Sequence, residues 1–249
     1  MDVARRRNGD VDWNTFDAAS YYEFNYRTMR SDDQRFLAAV RDHFAATPPI
    51  AGASGVDLGA GANLYPAFAM LPYVASLTLL DYSHSNVRWL REQVDFYDRT
   101  WDPFWATLRS HGRYRQIDDP RAALRRVAVV LRQDLFTFAP ERLYDIGTMF
   151  FVAESISTSP EEFRTALRRF VGLLAVGAPF AIAFMENSLG YTVGGRPFPA
   201  VQVDHRDVRS VLSPLTEGLT VHHESSAIGT DPLRKGYDGM ILALGRKKV

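Results

Sequence analysis

Apolar residues along this chain fall into short runs that alternate with stretches in which apolar positions recur every three or four residues. Runs at 54–58, 77–81, 127–131, 144–151, 179–185, 219–226 and 238–245 have strand length, and most are rich in Val, Leu, Ile or Phe. Helical spacing follows most of them, at 64–71, 84–97, 160–174 and 204–213. Strand–helix alternation implies parallel strands joined by crossover helices, so the pattern predicts a doubly wound α/β sheet. The last two runs leave no room for a helix between them. They are expected to form an antiparallel hairpin through Gly229-Thr230-Asp231-Pro232, closing a mostly parallel seven-stranded sheet.

Residues 13–46 read as helical ahead of the first strand. Phe36, Leu37, Val40 and Phe44 recur at helical spacing, and Pro48-Pro49 stops the run. An aromatic cluster opens the segment: Trp13, Phe16, Tyr21, Tyr22, Phe24 and Tyr26. Two readings stay open for it, a helix packed on the core and a cap over the active site. Residues 99–126 form an insertion before the third strand. Its arginines are expected on a solvated face, and Trp101 and Trp105, four apart, on one helical face. Residues 1–12 carry Arg5-Arg6-Arg7 followed by polar Asn8-Gly9-Asp10-Val11-Asp12, with no apolar segment behind the arginines, and are expected to be a disordered tail. Residues 13–249 are then one domain, with 13–50 as an N-terminal helical cap.

The chemistry concentrates where the first two strands end. Val56-Asp57-Leu58 runs into the turn Gly59-Ala60-Gly61, and Leu77-Thr78-Leu79-Leu80 ends in Asp81. In an open α/β sheet, glycines after the first strand let backbone approach a ligand, and an acid after the second can bind two ribose hydroxyls. A dinucleotide would call for a third glycine near its pyrophosphate, and Leu64 stands there. Asp57, just before the turn, would oppose a diphosphate and favour a cation. S-adenosylmethionine carries an ammonium, a sulfonium and a ribose but no phosphate, so the pattern favours that cofactor over a nicotinamide dinucleotide.

Composition narrows the partners. The chain has 249 residues, 46% of them hydrophobic, enough for one large α/β domain. Its formal net charge is zero and no basic patch stands out, which argues against nucleic acid. There is no cysteine, hence no disulfide, thiol nucleophile or cysteine metal site, in keeping with a cytoplasmic setting. No apolar run reaches the ~18 residues a membrane helix needs. His222 and His223 are adjacent in a predicted strand and point to opposite faces, His84 and His205 sit at helix starts, and no spacing suggests a metal site. A monomer acting on a small molecule is the expectation.

The segments Tyr21-Tyr22-Glu23-Phe24, Asp57 to Tyr65, Asp81-Tyr82-Ser83-His84-Ser85-Asn86, Gln133-Asp134-Leu135, Phe150 to Glu154 and Gly190-Tyr191-Thr192-Val193-Gly194 are more specific. In order and spacing the chain resembles the nicotinamide, phenylethanolamine and thioether/indolethylamine N-methyltransferase family from about residue 13 to the end. The resemblance implies the class I, Rossmann-like methyltransferase fold and S-adenosylmethionine-dependent methylation of small amines, pyridines or thioethers. It implies that Tyr22 closes over the cofactor, and that Gly59, Asn63 and Tyr65 surround its methionine part, with Asp57 and Gly61 in the same turn. Asp81 would hold the ribose, with Tyr82 beside it and Asn86 in support, and Asp134 and Leu135 would bracket the adenine. Glu154 falls where the family has a substrate-facing acid and Tyr191 in its aromatic substrate wall. The chain departs from the family at Asp17, in place of a second cap tyrosine, and at Ala62 and Asn63, in place of proline and threonine. A gap-free alignment puts Phe184 where a second acid is expected, with Glu186 two residues on.

The nucleophile decides which acids matter. A neutral pyridine nitrogen needs no base, and an aromatic face can stabilise the cation it becomes. An alkylamine is protonated at pH 7 and needs a carboxylate to bind it and accept a proton. Glu154 and Glu186 are the catalytic and substrate-binding candidates for either case. Residue types leave O-, S- and C-methylation open, along with a non-catalytic cofactor-binding role on the same scaffold.

Overall fold

In the computed structural model, which describes residues 6–48, 50–225 and 236–249, the apolar runs form one seven-stranded sheet. Its parallel part comprises β1 (Ser54–Leu58), β2 (Ser76–Asp81), β3 (Ala128–Arg132), β4 (Ile146–Phe150) and β5 (Pro179–Glu186). A separate short hairpin follows, β6 (Tyr191–Val193) and β7 (Arg196–Phe198). Then come β8 (Thr216–Ser225) and β9 (Gly239–Lys247). The order across the sheet is β3-β2-β1-β4-β5-β9-β8. β9 is antiparallel to both β5 and β8, so the expected pairing of the last two strands holds; the turn at 229–232 lies outside the described residues. The first strand of that pair starts at Thr216, three residues before the apolar run, and its edge is broken by a register shift between Glu217 and Thr220.

The helices are α1 (Ala18–Asn25), α2 (Ser31–Ala45), α3 (Tyr65–Met70), α4 (His84–Phe96), α5 (Asp102–Leu108), α6 (Gly112–Arg115), α7 (Pro120–Val127), α8 (Pro160–Gly172) and α9 (His205–Leu212). Alternation along the strands sends side chains to two cores. Leu77, Leu79, Ala181, Ala183, Met240 and Leu242 pack with Phe36, Val40, Phe68 and Leu124 on one face. Val56, Leu58, Leu80, Phe180, Ile182 and Phe184 pack with Phe163, Leu167, Phe170 and Val208 on the other. Parallel strands buried on both faces require this apolar composition throughout. Caps set the helix starts: Ser83 accepts from the Asn86 N–H, Ser159 from that of Glu162, and Asp204 and Asp207 form a capping box.

Two expectations are corrected and one element is unforeseen. The helical segment 13–46 is broken: Trp13–Thr15 is a single 3-10 turn, Asp17 caps α1 at the Ser20 N–H, and extended Arg30 separates α1 from α2. Of the tail, residues 6–12 are ordered. The Arg6 N–H donates to Thr158 Oγ1 and the Thr158 N–H to Arg6 O, both at 2.9 Å, and the Asn8 N–H donates to Glu162 Oε2 at 2.9 Å. Polar composition misled there because the anchoring groups are backbone amides, which composition does not register. The hairpin β6–β7 falls in a stretch with no apolar run. In the segment 99–126, Trp101 ends a 3-10 turn and Trp105 lies in α5 rather than on one continuous helix, and both are buried in one core cluster.

Candidate active site

The carboxyl ends of β1, β2 and β4 open on a cleft walled by the segments that follow them and by the N-terminal segment. Its floor is the glycine turn. Gly59 and Gly61 have φ of +70° and +56°, the left-handed region that side chains avoid. The N–H groups of Gly59 and Ala60 both donate to Leu80 O, at 2.7 and 3.0 Å, which folds the turn over the end of β2. A Cβ on Gly59 would lie 2.6 Å from Val152 Cγ2. One on Gly61 would meet nothing nearer than 3.6 Å, so its bare face is open to a ligand.

Asp81 stands beside that face, 7% exposed. Its Oδ2 accepts from Gly61 N at 2.9 Å; its Oδ1 accepts from Ser83 N at 2.8 Å and Asn86 Nδ2 at 3.1 Å. A carboxylate has about four lone-pair directions, so these donors leave capacity for a ligand hydroxyl. Burial raises its pKa, while the bonds from Ser83, Asn86 and Gly61 oppose the rise. Two amides next to it are half satisfied. Asn86 gives its Nδ2 to Asp81, and its Oδ1 is buried without a partner; Asn63 Oδ1 accepts from Tyr65 N at 3.2 Å, and its Nδ2 is buried without a partner. Buried polar atoms are normally paired, so a missing acceptor and a missing donor on a cleft wall mark where a polar ligand belongs. An adenosyl amino acid, with hydroxyls and a carboxylate, fits that set. Asp134 and Leu135 line the far end, with Asp134 Oδ1 taking Phe136 N at 2.8 Å, and Tyr82 lies at the rim under the Arg132 guanidinium.

The opposite wall is aromatic and comes from the N-terminal segment and the β6–β7 hairpin. Trp13, Phe16, Tyr21, Tyr26 and Tyr191 line it. Phe198 backs it, stacked on Trp13 and Tyr191 at 5.6 Å each and edge-on to Phe16 at 5.2 Å. Trp13 Nε1 donates to Asn8 Oδ1 at 3.0 Å, and Asn8 lines the cleft as well. The two readings of the N-terminal region therefore divide between its parts: residues 8–26 form the cap, and α2 packs on the core. Phe151, also on the cleft, has φ of +59°, a strained backbone for a bulky residue and of the kind that clusters at functional sites.

Of the residues singled out in the sequence, Gly59, Gly61, Asn63, Asp81, Tyr82, Asn86, Asp134, Leu135 and Tyr191 line one cleft. Five expected residues do not face it. Tyr22 turns outward, bonds Thr100 Oγ1 through its hydroxyl and packs on Trp89 and Trp101; its neighbour Tyr21 and Tyr26, a turn later, line the cleft instead. Tyr65 is fully buried, donating to Asp33 Oδ1 at 3.0 Å. Asp57 lies beneath the turn, its Oδ1 accepting from Thr148 Oγ1 at 2.7 Å; burial pushes its pKa up to about 7. Glu154 is fully buried, with Oε1 accepting from Met185 N at 3.1 Å and Ser155 Oγ at 3.0 Å. Glu186 pairs with His223 across Gly239, whose missing Cβ gives the imidazole room. Phe184 faces the core beside Phe163. Motif position fixes the Cα of these residues; rotation of one residue about the helix or strand axis decides what the side chain meets. Phe151 and Ile156 carry no polar or glycine signal, and Ser155 stands in no spacing that marks a site, so sequence reasoning does not reach them.

The family model described as NNMT/PNMT/TEMT matches residues 8–248. The chain is 25% identical over 182 residues to indolethylamine N-methyltransferase of Mus musculus, covering 67% of each chain. It is 25% identical over 207 residues to that of Oryctolagus cuniculus, covering 78% of this chain and 76% of the other. The fold is shared with the N-methyltransferase NodS from Bradyrhizobium japonicum WM9, solved with S-adenosyl-L-homocysteine, at TM-score 0.56, 10% identity and 88% coverage of both chains. The chain belongs to the NNMT/PNMT/TEMT family and is an S-adenosylmethionine-dependent methyltransferase of small molecules.

Proposed function

We propose that the methyl acceptor is an uncharged nitrogen of an aromatic heterocycle. The observation that carries this reading is the withdrawal of both candidate acids. Glu154 is inaccessible and committed to Met185 N and Ser155, and Glu186 is committed to His223. Among the described lining residues the acids are Asp81 and Asp134, on the side of the glycine turn, while the facing wall is aromatic. Such a wall suits a flat neutral ring and stabilises the cation it becomes; it gives a protonated alkylamine no base.

When bound, S-adenosylmethionine supplies an electrophilic methyl on a sulfonium that is already a good leaving group. The chain's part is binding and placement. Asp81 holds the ribose hydroxyls, supported by Asn86; Asn63 Nδ2 meets the methionine part; Asp134 and Leu135 bracket the adenine. Trp13, Phe16, Tyr21, Tyr26 and Tyr191 hold the acceptor ring and exclude water. Alignment of this kind lowers barriers by roughly 7–11 kcal/mol. The absence of cysteine suits a cytoplasmic setting, and no helix among the described residues is long and apolar enough to cross a membrane.

A methyl-transfer screen over pyridines, quinolines and arylalkylamines, read by mass spectrometry, tests the proposal. The expected products are N-methylated heteroaromatic cations, formed equally by Glu186→Gln. Turnover confined to alkylamines, abolished by Glu154→Gln, would overturn it.

A further inference from the structure

A line of hydrogen bonds runs from the second helix to the floor of the cleft through residues that do not face the cleft. Asp33 lies in the first turn of α2, 3% exposed, and its Oδ1 accepts from the Tyr65 hydroxyl at 3.0 Å. Tyr65 opens α3. Its ring stacks on Phe104 (5.4 Å between centroids, 9° between planes) and meets Tyr26 edge-on at 5.9 Å. Its backbone N–H donates to Asn63 Oδ1 at 3.2 Å. Only an oxygen can accept that N–H, so the Asn63 amide is oriented without ambiguity, and Nδ2 is the atom left over. That Nδ2 is buried, has no partner, and belongs to a residue of the cleft wall.

We infer that Asp33 is a positioning residue for the cofactor: by holding Tyr65 it fixes the Asn63 amide and the Tyr26 ring at the cleft, and so couples the seating of α2 to cofactor binding. Without the Asp33 carboxyl, the Tyr65 hydroxyl is a buried donor with no acceptor, and it must move to find one. The ring moves with it. Tyr26 leans on that ring from the cleft side, and the start of α3 carries the N–H that orients Asn63. The inference rests on Asn63 meeting the cofactor, as proposed above.

Calorimetric titration with S-adenosylhomocysteine, with thermal melting of each apo-protein, tests it on wild type, Asp33→Ala, Asp33→Asn, Tyr65→Phe and the double variant Asp33→Ala/Tyr65→Phe. Loss of one buried hydrogen bond predicts about tenfold weaker binding for Asp33→Ala and for Tyr65→Phe. The double variant is expected to bind no more weakly than either single one, because one link is broken in all three. Asp33→Asn keeps an acceptor oxygen and is expected within about twofold of wild type. If Asp33→Ala does not fold, Tyr65→Phe, which keeps the ring, carries the same prediction. Unchanged affinity with a lowered melting temperature would make the contact purely structural. Losses that multiply in the double variant would mean that Asp33 does not act through Tyr65. Absence of binding to wild type would overturn the cofactor reading, and this inference with it; binding by wild type but undiminished in both single variants would overturn this inference alone.

Discussion

At the scale of residues, the cleft is defined by a few positions whose chemistry admits little substitution. Gly59 has a positive φ and no room for a methyl group against Val152. Gly59→Ala is expected to lose stability by about 2–4 kcal/mol, the sum of backbone strain and overpacking, and thermal melting should show a drop of several degrees. Asp81→Ala removes both the ribose acceptor and the anchor of Gly61, Ser83 and Asn86. Its affinity for S-adenosylhomocysteine should fall by at least about tenfold by calorimetry. Gly59, Gly61 and Asp81 were legible because steric freedom and ribose chemistry leave few alternatives in such a fold. Glu154 and Tyr65 were not. A motif reports which residue stands at a position, and the deciding fact for Glu154 is that Met185 N and Ser155 reach it first.

At the scale of elements, periodicity gave the sheet almost residue by residue, since strands buried on both faces leave an uninterrupted apolar record. Ser54–Leu58 was expected at its observed bounds, and α3, α4, α8 and α9 within a residue or two at each end. The record fails where elements are held by side chains or single backbone bonds. The β6–β7 hairpin is three residues a strand, and the segment at 6–16 is fastened by Arg6, Asn8 and Trp13. Both elements supply the aromatic wall proposed to hold the acceptor. Trp13→Ala removes the ring between Asn8 and Phe198 and should open that wall to water. Steady-state kinetics with a heteroaromatic acceptor should show KM raised by about tenfold, with affinity for S-adenosylhomocysteine within about threefold of wild type. An equal loss in both would mean that the segment serves the cofactor.

At the scale of the whole molecule, two acids are buried on the floor side of the site. Burial raises Asp33 to about 7, with Asp32 adding to the rise. Asp57 reaches the same value through burial and the nearby Asp81, against the bond from Thr148. Unfolded, both would titrate near 3.8. Between about pH 4 and 7 the native state therefore holds protons that the unfolded chain has released, so stability falls as pH rises across that window and levels above it. Each group contributes a slope of at most about 1.4 kcal/mol per pH unit. Asp17 and Asp204, lowered chiefly by hydrogen bonds from helix N–H groups, lose their contribution only below about pH 4, whereas His43, lowered by burial, opposes the decline as pH rises towards 6.5, one group against two. Denaturant midpoints from pH 4.5 to 7.5 should decline, and Asp57→Asn should flatten part of the decline. A rising curve would contradict the burial of both acids in protonated form.

The same floor, with the glycine turn above it and Asp81 at its edge, carries the proposed cofactor binding, and a titration of S-adenosylhomocysteine into wild type and Asp81→Ala measures it most directly. One saturable site per chain is expected in wild type, with affinity reduced by at least about tenfold in the variant. No binding by wild type at millimolar ligand, or equal affinity in the two proteins, would contradict it.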